Sequence, residues 1–589
     1  MPGLIGFIGD KHLLMPQAQS FLEVSGERCS YWQVSKCQFE LKSIKRGVAQ
    51  QSFETQRLKI DIWGDLFSFA NQPCDDWFSL IENHFLAGTL ASCLAQINGY
   101  FVLSILDKES NVLSLCSDRY GLKPLYLWQE SGCMIGFASE IKALLLHPSF
   151  KQTVNSDVIN SFIDVGHFIG LDTVFYNVSR MPPASILSIN LEQADFAFEQ
   201  YWAWSKILPN KQIKFSDAVM QLNHLFEQAV ARCLDTMQQS TLAITLSGGL
   251  DSRALLAAAQ KLFEGKIVTY TFGDQGCDDA VIAAKVASVA GVENHFTAIS
   301  SETWFNGREQ GVWLTDGLKN ILHMHALSSL PAISAHTNYL LNGYLGDVTA
   351  GGSYLLPEAQ SGAALFDCAK ARYGKHAASA LFNNDYLVSP SSDPLFIYNR
   401  GVRFISIGSD LLSHQLNNFK PFLDNDLVEF LYSLPESYRR DGRIYHHMLL
   451  QFYPQYFKDI PWQQTGRPIS TKSNSVAPNQ HKVRAKLVNW IKGSSFELLA
   501  RKFYRVFIKK RHYVAYDEWL RQPEFKKYSY ELLLSKDTML VEYFGREKIK
   551  ALLNEFYDGS MQLPTETLGG LITLELYFQQ IKIHRAAHE

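Results

Sequence analysis

The chain lacks what would mark it as a membrane, secreted or nucleic-acid-binding protein. No stretch approaches the roughly 20 consecutive apolar residues of a membrane helix. "MPGLIGFIGDKHLLM" has no basic region ahead of a short, interrupted apolar run, so no signal peptide is expected. Positive charge is not in excess. Fifty-five Lys and Arg face 58 Asp and Glu, a net charge of -3, which excludes a general pull toward nucleic acid or an anionic surface. Nine cysteines form no C-x-x-C pair and no metal-ligand spacing. An odd, dispersed set reads as reduced thiols in a cytoplasmic setting. Internal repeats and long low-complexity tracts are missing as well. What remains is 589 residues, 47% hydrophobic and 19% charged, an ordinary enzyme composition too long for a single core.

The first third reads as strands. "LIGFIG", "LKIDIW", "GYFVLSILD" and "NVLSLCSD" are short, β-branched and aromatic, and bounded by turn signals. "SEIKALLLHP" predicts a helix closed by Pro148. Near residues 200–215 the pattern changes. "FSDAVMQLNHLFEQAVARCLD" carries Val219, Leu222, Leu225, Phe226 and Val230 at helical spacing, with Ser216 as its expected N-cap. Strands then alternate with helices: "TLAITLS" and "SRALLAAAQKLF", "IVTYTFG" and "DDAVIAAKVASVAG", later "TNYLLNG". That alternation predicts a parallel sheet with helices on both faces. Residues 1–207 and 208–589 are the expected domains. Residues 470–482 read as a polar loop. Residues 496–512 read as a basic amphipathic helix, packed on its apolar side or docking an acidic partner.

"ITLSGGLDSRALLAA" (244–258) carries the chemistry. An apolar strand ending at Leu246 feeds a Gly248-Gly249 turn whose backbone can approach a ligand closely. The helix that follows offers N–H groups and a positive dipole end to phosphate. Ser247 and Ser252 add hydroxyls. Asp251 is repelled by phosphate unless a divalent cation lies between them, and Mg²⁺ favours that mixture of carboxylate and phosphate oxygens. No Lys follows the glycines, so the common G-x-x-x-x-G-K-[ST] loop is excluded. His323 and His325 lack a carboxylate or Cys at ligand spacing and are expected to line a cleft or cap a helix. Helix capping accounts for one of Asp278 and Asp279.

The S-G-G-L-D-S stretch resembles the pyrophosphate loop of ATP pyrophosphatases. The rest narrows the resemblance to the asparagine synthetase family. "INGYFVLSILDKESNVLSLCSDRYGLKPLYLW" (97–128) and "FASEIKALLLHP" (137–148) resemble its glutaminase domain. "FGDQGCDDAVIAAKVASVAG" (272–291), "NGYLGDVTAGG" (342–352) and "KPFLDNDLVEFLYSLP" (420–435) resemble successive synthetase segments. The resemblance implies an N-terminal Ntn-hydrolase-like αββα sandwich, then a parallel-sheet α/β ATP-pyrophosphatase domain with C-terminal helices. It also implies ATP and Mg²⁺ as cofactors. Leu246, Ser247, Gly248, Gly249, Asp251, Ser252, Phe272, Gly273 and Gly343 are the nucleotide positions so implied, and Asp251 and Asp347 the metal positions.

Two departures shape the expected function. The family begins Met-Cys-Gly, and that Cys releases ammonia from glutamine. Here Pro2 stands in its place, without a nucleophilic side chain, and the glutamine-holding segment is degraded to "WGDLFS" (63–68). The second acidic loop reads Gly343-Tyr344-Leu345-Gly346-Asp347-Val348, keeping the metal-binding Asp but not its acidic neighbours. Tyr344 falls where β-lactam synthetases carry a catalytic Tyr. It is taken as a catalytic candidate beside the alternative of a packed aromatic. The family's active-site Lys falls near Thr465, leaving Arg467 or Lys472 as replacement cations. The expected activity is an ATP-dependent carboxylate–amine ligase releasing AMP and pyrophosphate. Its amine comes from free ammonia, a partner, or the substrate itself. The alternatives are a lasso-peptide or β-lactam type cyclase, amidation of a sugar acid in surface-polysaccharide synthesis, and a non-catalytic ATP-binding paralogue. The expected partners are a small-molecule or peptide carboxylate and, as candidate, a second copy of the chain.

Overall fold

The computed structural model describes residues 3–9, 27–34, 37–43, 51–145, 147–237, 241–355, 362–388, 391–471, 513–558 and 564–586. Pro2, Lys472 and the segment expected as an amphipathic helix at 496–512 lie outside the described residues, as does most of the polar loop expected at 470–482.

Two six-stranded sheets form the N-terminal half. The first runs β10 (Val178–Arg180), β8 (Tyr126–Glu130), β9 (Cys133–Ala138), β1 (Gly3–Ile8), β3 (Cys37–Ser43), β2 (Glu27–Val34). The second runs β12 (Phe196–Gln200), β11 (Ser185–Asn190), β7 (Val112–Ser117), β6 (Ile97–Asp107), β5 (Leu58–Phe69), β4 (Ser52–Glu54). The sheets pack through Leu4, Phe39 and Leu41 on one side and Trp63, Val102 and Leu187 on the other. β6 is buried along its whole length because it is covered on both faces. Ile141, Leu144, Ile159 and Phe162 cover the outside of the first sheet, and Phe78, Ile81 and Leu94 the second. The result is the αββα sandwich.

The second half is built on a five-stranded sheet: β15 (Glu293–Ala298), β14 (Lys266–Gly273), β13 (Thr241–Thr245), β16 (Tyr339–Leu341), β17 (Asn417–Phe419). All four of its strand pairings are parallel. Ligand sites in such sheets lie beyond the carboxyl ends of the strands. The helix Asp251–Leu262 packs against β13 through Leu255 and through Ala254, Ala258 and Ala259, small residues that allow close approach. The helix Phe215–Asp235 buries the five apolar residues its spacing singled out. Its N-cap is Lys214. Ser216 falls inside the first turn, where its Oγ donates to Asp217 Oδ1 at 3.2 Å. The helix expected over "SEIKALLLHP" shrinks to Ile141–Leu144. Its leading amides are held by Asp316 from the other half of the chain, 2.7 Å from Ile141 N and 3.0 Å from Lys142 N.

The halves meet through paired charge. Asn98 Nδ2 donates across the halves to Asp424 at 2.7 Å, and Arg232, in the same half as Asp424, holds that carboxylate and Asp426 at 2.6 Å each. Asp424 also caps the helix Asn425–Ser433. Lys142 Nζ, fully buried, bridges Glu140 at 2.8 Å and Asp316 at 3.3 Å. Arg119 pairs with Glu429. The motifs around Asn98 and Asp424, far apart in sequence, are one seam in space. Among the described residues, no helix is long and apolar enough to cross a membrane.

Candidate active site

The loop Ser247–Leu250 leaves the carboxyl end of β13 beside β14. Leu246 N donates to Tyr270 O at 2.8 Å, and Thr271 Oγ1 to Leu246 O at 2.9 Å, so strand and loop are locked together. The loop's amides are taken up by its own surroundings. Ser247 N donates to Ser252 Oγ at 3.1 Å, Gly249 N to Ser247 Oγ at 3.2 Å, and Gly248 N to Asp279 Oδ1 at 2.8 Å. A phosphate entering here exchanges with side-chain oxygens already in place. Asp279, one of two acids in the first turn of Asp278–Ala290, thus holds the loop as well as its helix end.

Behind the loop, Arg253 is fully buried with no carboxylate partner among the described residues. Its Nη2 donates to Gly248 O at 3.1 Å and Pro461 O at 2.9 Å, and its Nη1 to Tyr456 O and Ile460 O at 3.2 and 3.3 Å. It fastens the turn at 460–467 to the loop. Gln463 N donates to Gly248 O at 3.1 Å, and a Cβ on Gly248 would lie 2.7 Å from Gln463 Cβ.

Two acidic loops interlock. Asp347 N donates to Asp251 Oδ2 at 2.8 Å, and Tyr445 Oη to Asp251 Oδ1 at 3.0 Å. Ser353 Oγ donates to Asp347 Oδ2 at 3.2 Å. Glycine is required where the loops touch. A Cβ on Gly343 would lie 2.8 Å from Ser252 N, and one on Gly346 2.5 Å from Asp251 Cγ. Burial first, and the neighbouring Asp347 carboxylate second, push Asp251 well above the usual carboxylate range. No cation forms an ion pair with either acid among the described residues. Two like charges held together with open coordination fit a divalent metal that also takes phosphate oxygens.

Phe272 and Gly273 close β14 beside the loop. Phe272 packs against His325 at 5.5 Å, and Tyr513 covers Gly273, its carbonyl accepting Asp274 N at 2.7 Å. His323 and His325 are half-buried rings 6.3 Å apart, and no group of three metal-ligating side chains forms among the described residues.

The other predicted positions diverge. Tyr344 turns into the core, 3% exposed, with the Lys420 ammonium 5.2 Å from its ring centre. Burial pushes its phenol well above 10, and Asp410 adds to the rise. Asp410 is itself bound to Lys420 at 2.6 Å and to Ser406 Oγ at 2.7 Å. That is the setting of a packed aromatic, the second of the two readings given for Tyr344. Arg467 is exposed on a turn in which Trp462 N donates to its carbonyl at 2.9 Å. Sequence reasoning missed Tyr445, Arg253 and the loop-holding role of Asp279. Only Arg253, directly after S-G-G-L-D-S, carried a signal that could have been read.

The comparisons agree with this layout. Residues 79–202 match the glutamine amidotransferase domain model, and residues 221–387 match the asparagine synthase model. Asparagine synthetase [glutamine-hydrolyzing] 3 of Bacillus subtilis is 28% identical over 242 residues, 38% of each chain. A probable asparagine synthetase of Acanthamoeba polyphaga mimivirus is 28% identical over 205 residues, 34% of this chain and 35% of the relative. Asparagine synthetase 2 of Bacillus subtilis is 24% identical over 394 residues, 59% of this chain and 52% of the relative. The matches thus span between about a third and a half of these relatives' own length. With both domain models in order and the S-G-G-L-D-S loop set against a second acidic loop, the chain is similar to the asparagine synthetases in both of its halves.

Proposed function

We propose that the protein is an ATP- and Mg²⁺-dependent ligase that joins a carboxylate to an amine through an acyl-adenylate. The carrying observation is the interlock of Asp251 with Asp347 at the mouth of the S-G-G-L-D-S loop. We divide the ligase from the amidotransferase-like half at 207/208. Ser247, Gly248, Gly249 and Ser252 receive the phosphates. Leu246, Phe272, Gly273 and Gly343 shape the nucleotide's surroundings. Asp251 and Asp347 hold the metal, which when bound supplies charge neutralisation at the phosphates. A substrate carboxylate oxygen attacks the α-phosphorus and pyrophosphate leaves. The amine then attacks the acyl carbon, loses a proton, and AMP leaves. Tyr445 fixes the rotamer of Asp251, and Arg253 keeps the loop closed on the 460–467 turn.

Pro2 at the nucleophile position supports an amine that does not come from glutamine hydrolysed by this chain. The burial of Tyr344 removes the support for a phenol-assisted ring closure and favours amidation by ammonia or a separate amine. Free, buried thiols at Cys93, Cys116 and Cys233 fit a cytoplasmic setting.

The test is product analysis with Mg²⁺, ATP, ammonium and a panel of carboxylates. AMP and pyrophosphate are expected. ADP and phosphate as products would overturn the reading, and no turnover with any carboxylate would favour the non-catalytic paralogue. Glutamine offered alone is expected to yield no glutamate above the enzyme-free blank.

A further inference from the structure

A second cluster of like charge lies on the far side of the second acidic loop. Residues Ile397–Ser406 form a ten-residue π-helix, a rare conformation that recurs at functional sites. One side of it holds the domain seam. Asn399 Oδ1 accepts Gly170 N at 2.7 Å, and Arg403 Nη2 donates to Asp172 O at 2.6 Å. The other side carries Arg400 and Phe404. Lys319, 3% exposed, places its ammonium 3.7 Å from the Phe404 ring centre and donates to Phe404 O at 2.6 Å. The Arg400 guanidinium lies 5.4 Å from that ring centre. Its charge is felt by Asp347 and by Lys319.

Neither cation forms an ion pair among the described residues. The acid whose charge acts on Lys319 is Asp410, which is committed to Lys420 at 2.6 Å. The other walls of the Phe404 ring are His167 at 5.1 Å and His323 at 4.9 Å. Burial depresses both imidazoles far below the usual range, so neither adds an acceptor charge nor a third cation. Burial and the Arg400 charge likewise bring Lys319 down to about 7. Gly408 clears the space for its side chain, since a Cβ there would lie 2.6 Å from Lys319 Cε. A buried ammonium satisfied by one carbonyl, beside an unpaired guanidinium, is costly unless an anion completes it.

We propose that Lys319 and Arg400 form an oxyanion subsite that holds a negatively charged group of the substrate distinct from the carboxylate that is activated. The inference rests on the ligase reading for its account of what enters. The physical argument for an anion does not. The shared chemistry is an oxyanion, either a second carboxylate or a phosphate-type group.

The experiment measures binding of succinate, of inorganic phosphate and of butyrate by calorimetry, with and without Mg²⁺ and α,β-methylene-ATP. The proteins are wild type, Lys319→Met and Arg400→Gln. Succinate or phosphate is expected to bind wild type, and each substitution to weaken it roughly 30-fold or more. Nucleotide affinity stays unchanged in both variants. Succinate as the tighter ligand assigns a second carboxylate, and phosphate a phosphate-type group. If neither oxyanion binds wild type better than butyrate, or if both variants bind as wild type does, the subsite is overturned. Should Lys319→Met fail to fold, the half-buried Arg400→Gln decides alone. Failure of nucleotide binding in wild type, with oxyanion binding intact and lost in the variants, would sink the ligase reading and leave the subsite standing.

Discussion

The seam between the halves and the face beyond β13 and β16 treat charge in opposite ways. At the seam acids and bases are paired: Lys142 with Glu140 and Asp316, Arg119 with Glu429, and Arg232 behind Asp424 and Asp426. At the candidate site, charges are grouped by sign. Asp251 lies against Asp347, and Lys319 and Arg400 share the Phe404 ring. Paired charge fixes an orientation and is complete without a ligand. Grouped charge is incomplete, and its destabilisation is the structural cost of a site waiting for ions of the other sign. The two arrangements therefore make opposite predictions for truncation.

The largest difference should appear at Asp251. Asp251→Ala is expected to lower pyrophosphate release by roughly 10³-fold or more. The melting temperature should be unchanged or raised, because a buried like-charge contact is relieved. A variant that unfolds would place Asp251 with the seam residues instead. Asp424→Ala should do the reverse. Loss of one partner of a buried pair costs about 3 kcal/mol, read as a lower denaturation midpoint, while the intrinsic chemistry of any correctly docked fraction persists. Equal stability of Asp424→Ala and wild type would show that the seam charges are idle.

Lys319 sharpens the comparison through pH. Its folded pKa is about 7 against an ordinary 10.5. Between those values the unfolded chain binds more protons, so its contribution makes stability rise with pH across that window. The slope is at most about 1.4 kcal/mol per pH unit. Below about 7 the full penalty is present. His323, which faces it, is held by burial well below the usual imidazole range and adds no titration in that window. Urea midpoints from pH 7 to 9 should climb for wild type and flatten in Lys319→Met. A parallel climb in both would remove Lys319 as the cause. The smallest effect is expected at Tyr344. Tyr344→Phe deletes a buried hydroxyl far from titration, so turnover should stay within about twofold and stability within about 1 kcal/mol. A large loss of the amide-forming half-reaction alone would restore the phenol to the chemistry.

What the sequence made legible follows from range. The β13 loop and helix lie within 20 residues, so hydrophobic period, glycines and hydroxyls announced strand, turn and helix together. The parallel sheet followed from the strand–helix alternation. Asp347 was readable through resemblance in its loop, although its contact with Asp251 spans 96 residues. Tyr445 was not, because nothing local marks a tyrosine whose partner lies 194 residues upstream. Lys319 and Arg400 are ordinary surface-type residues until the fold buries one and leaves the other unpaired. The helix expected at "SEIKALLLHP" forms only over Ile141–Leu144, and the carboxylate that holds its first amides, Asp316, arrives from the other half of the chain.

The π-helix gives the domain seam and the cation cluster a common axle. Asn399 and Arg403 grip Gly170 and the Asp172 carbonyl, while Arg400 and Phe404, each one residue further along, face the other way. Rotation of that turn cannot serve one partner without turning the other. Loss of a single residue would rewind the stretch toward an α-helix and swing everything after it by about 100°. Both grips would fail in one step, so the wide-wound stretch behaves as a keyed joint. Its length, more than the identity of any side chain on it, is what the two halves of the molecule share.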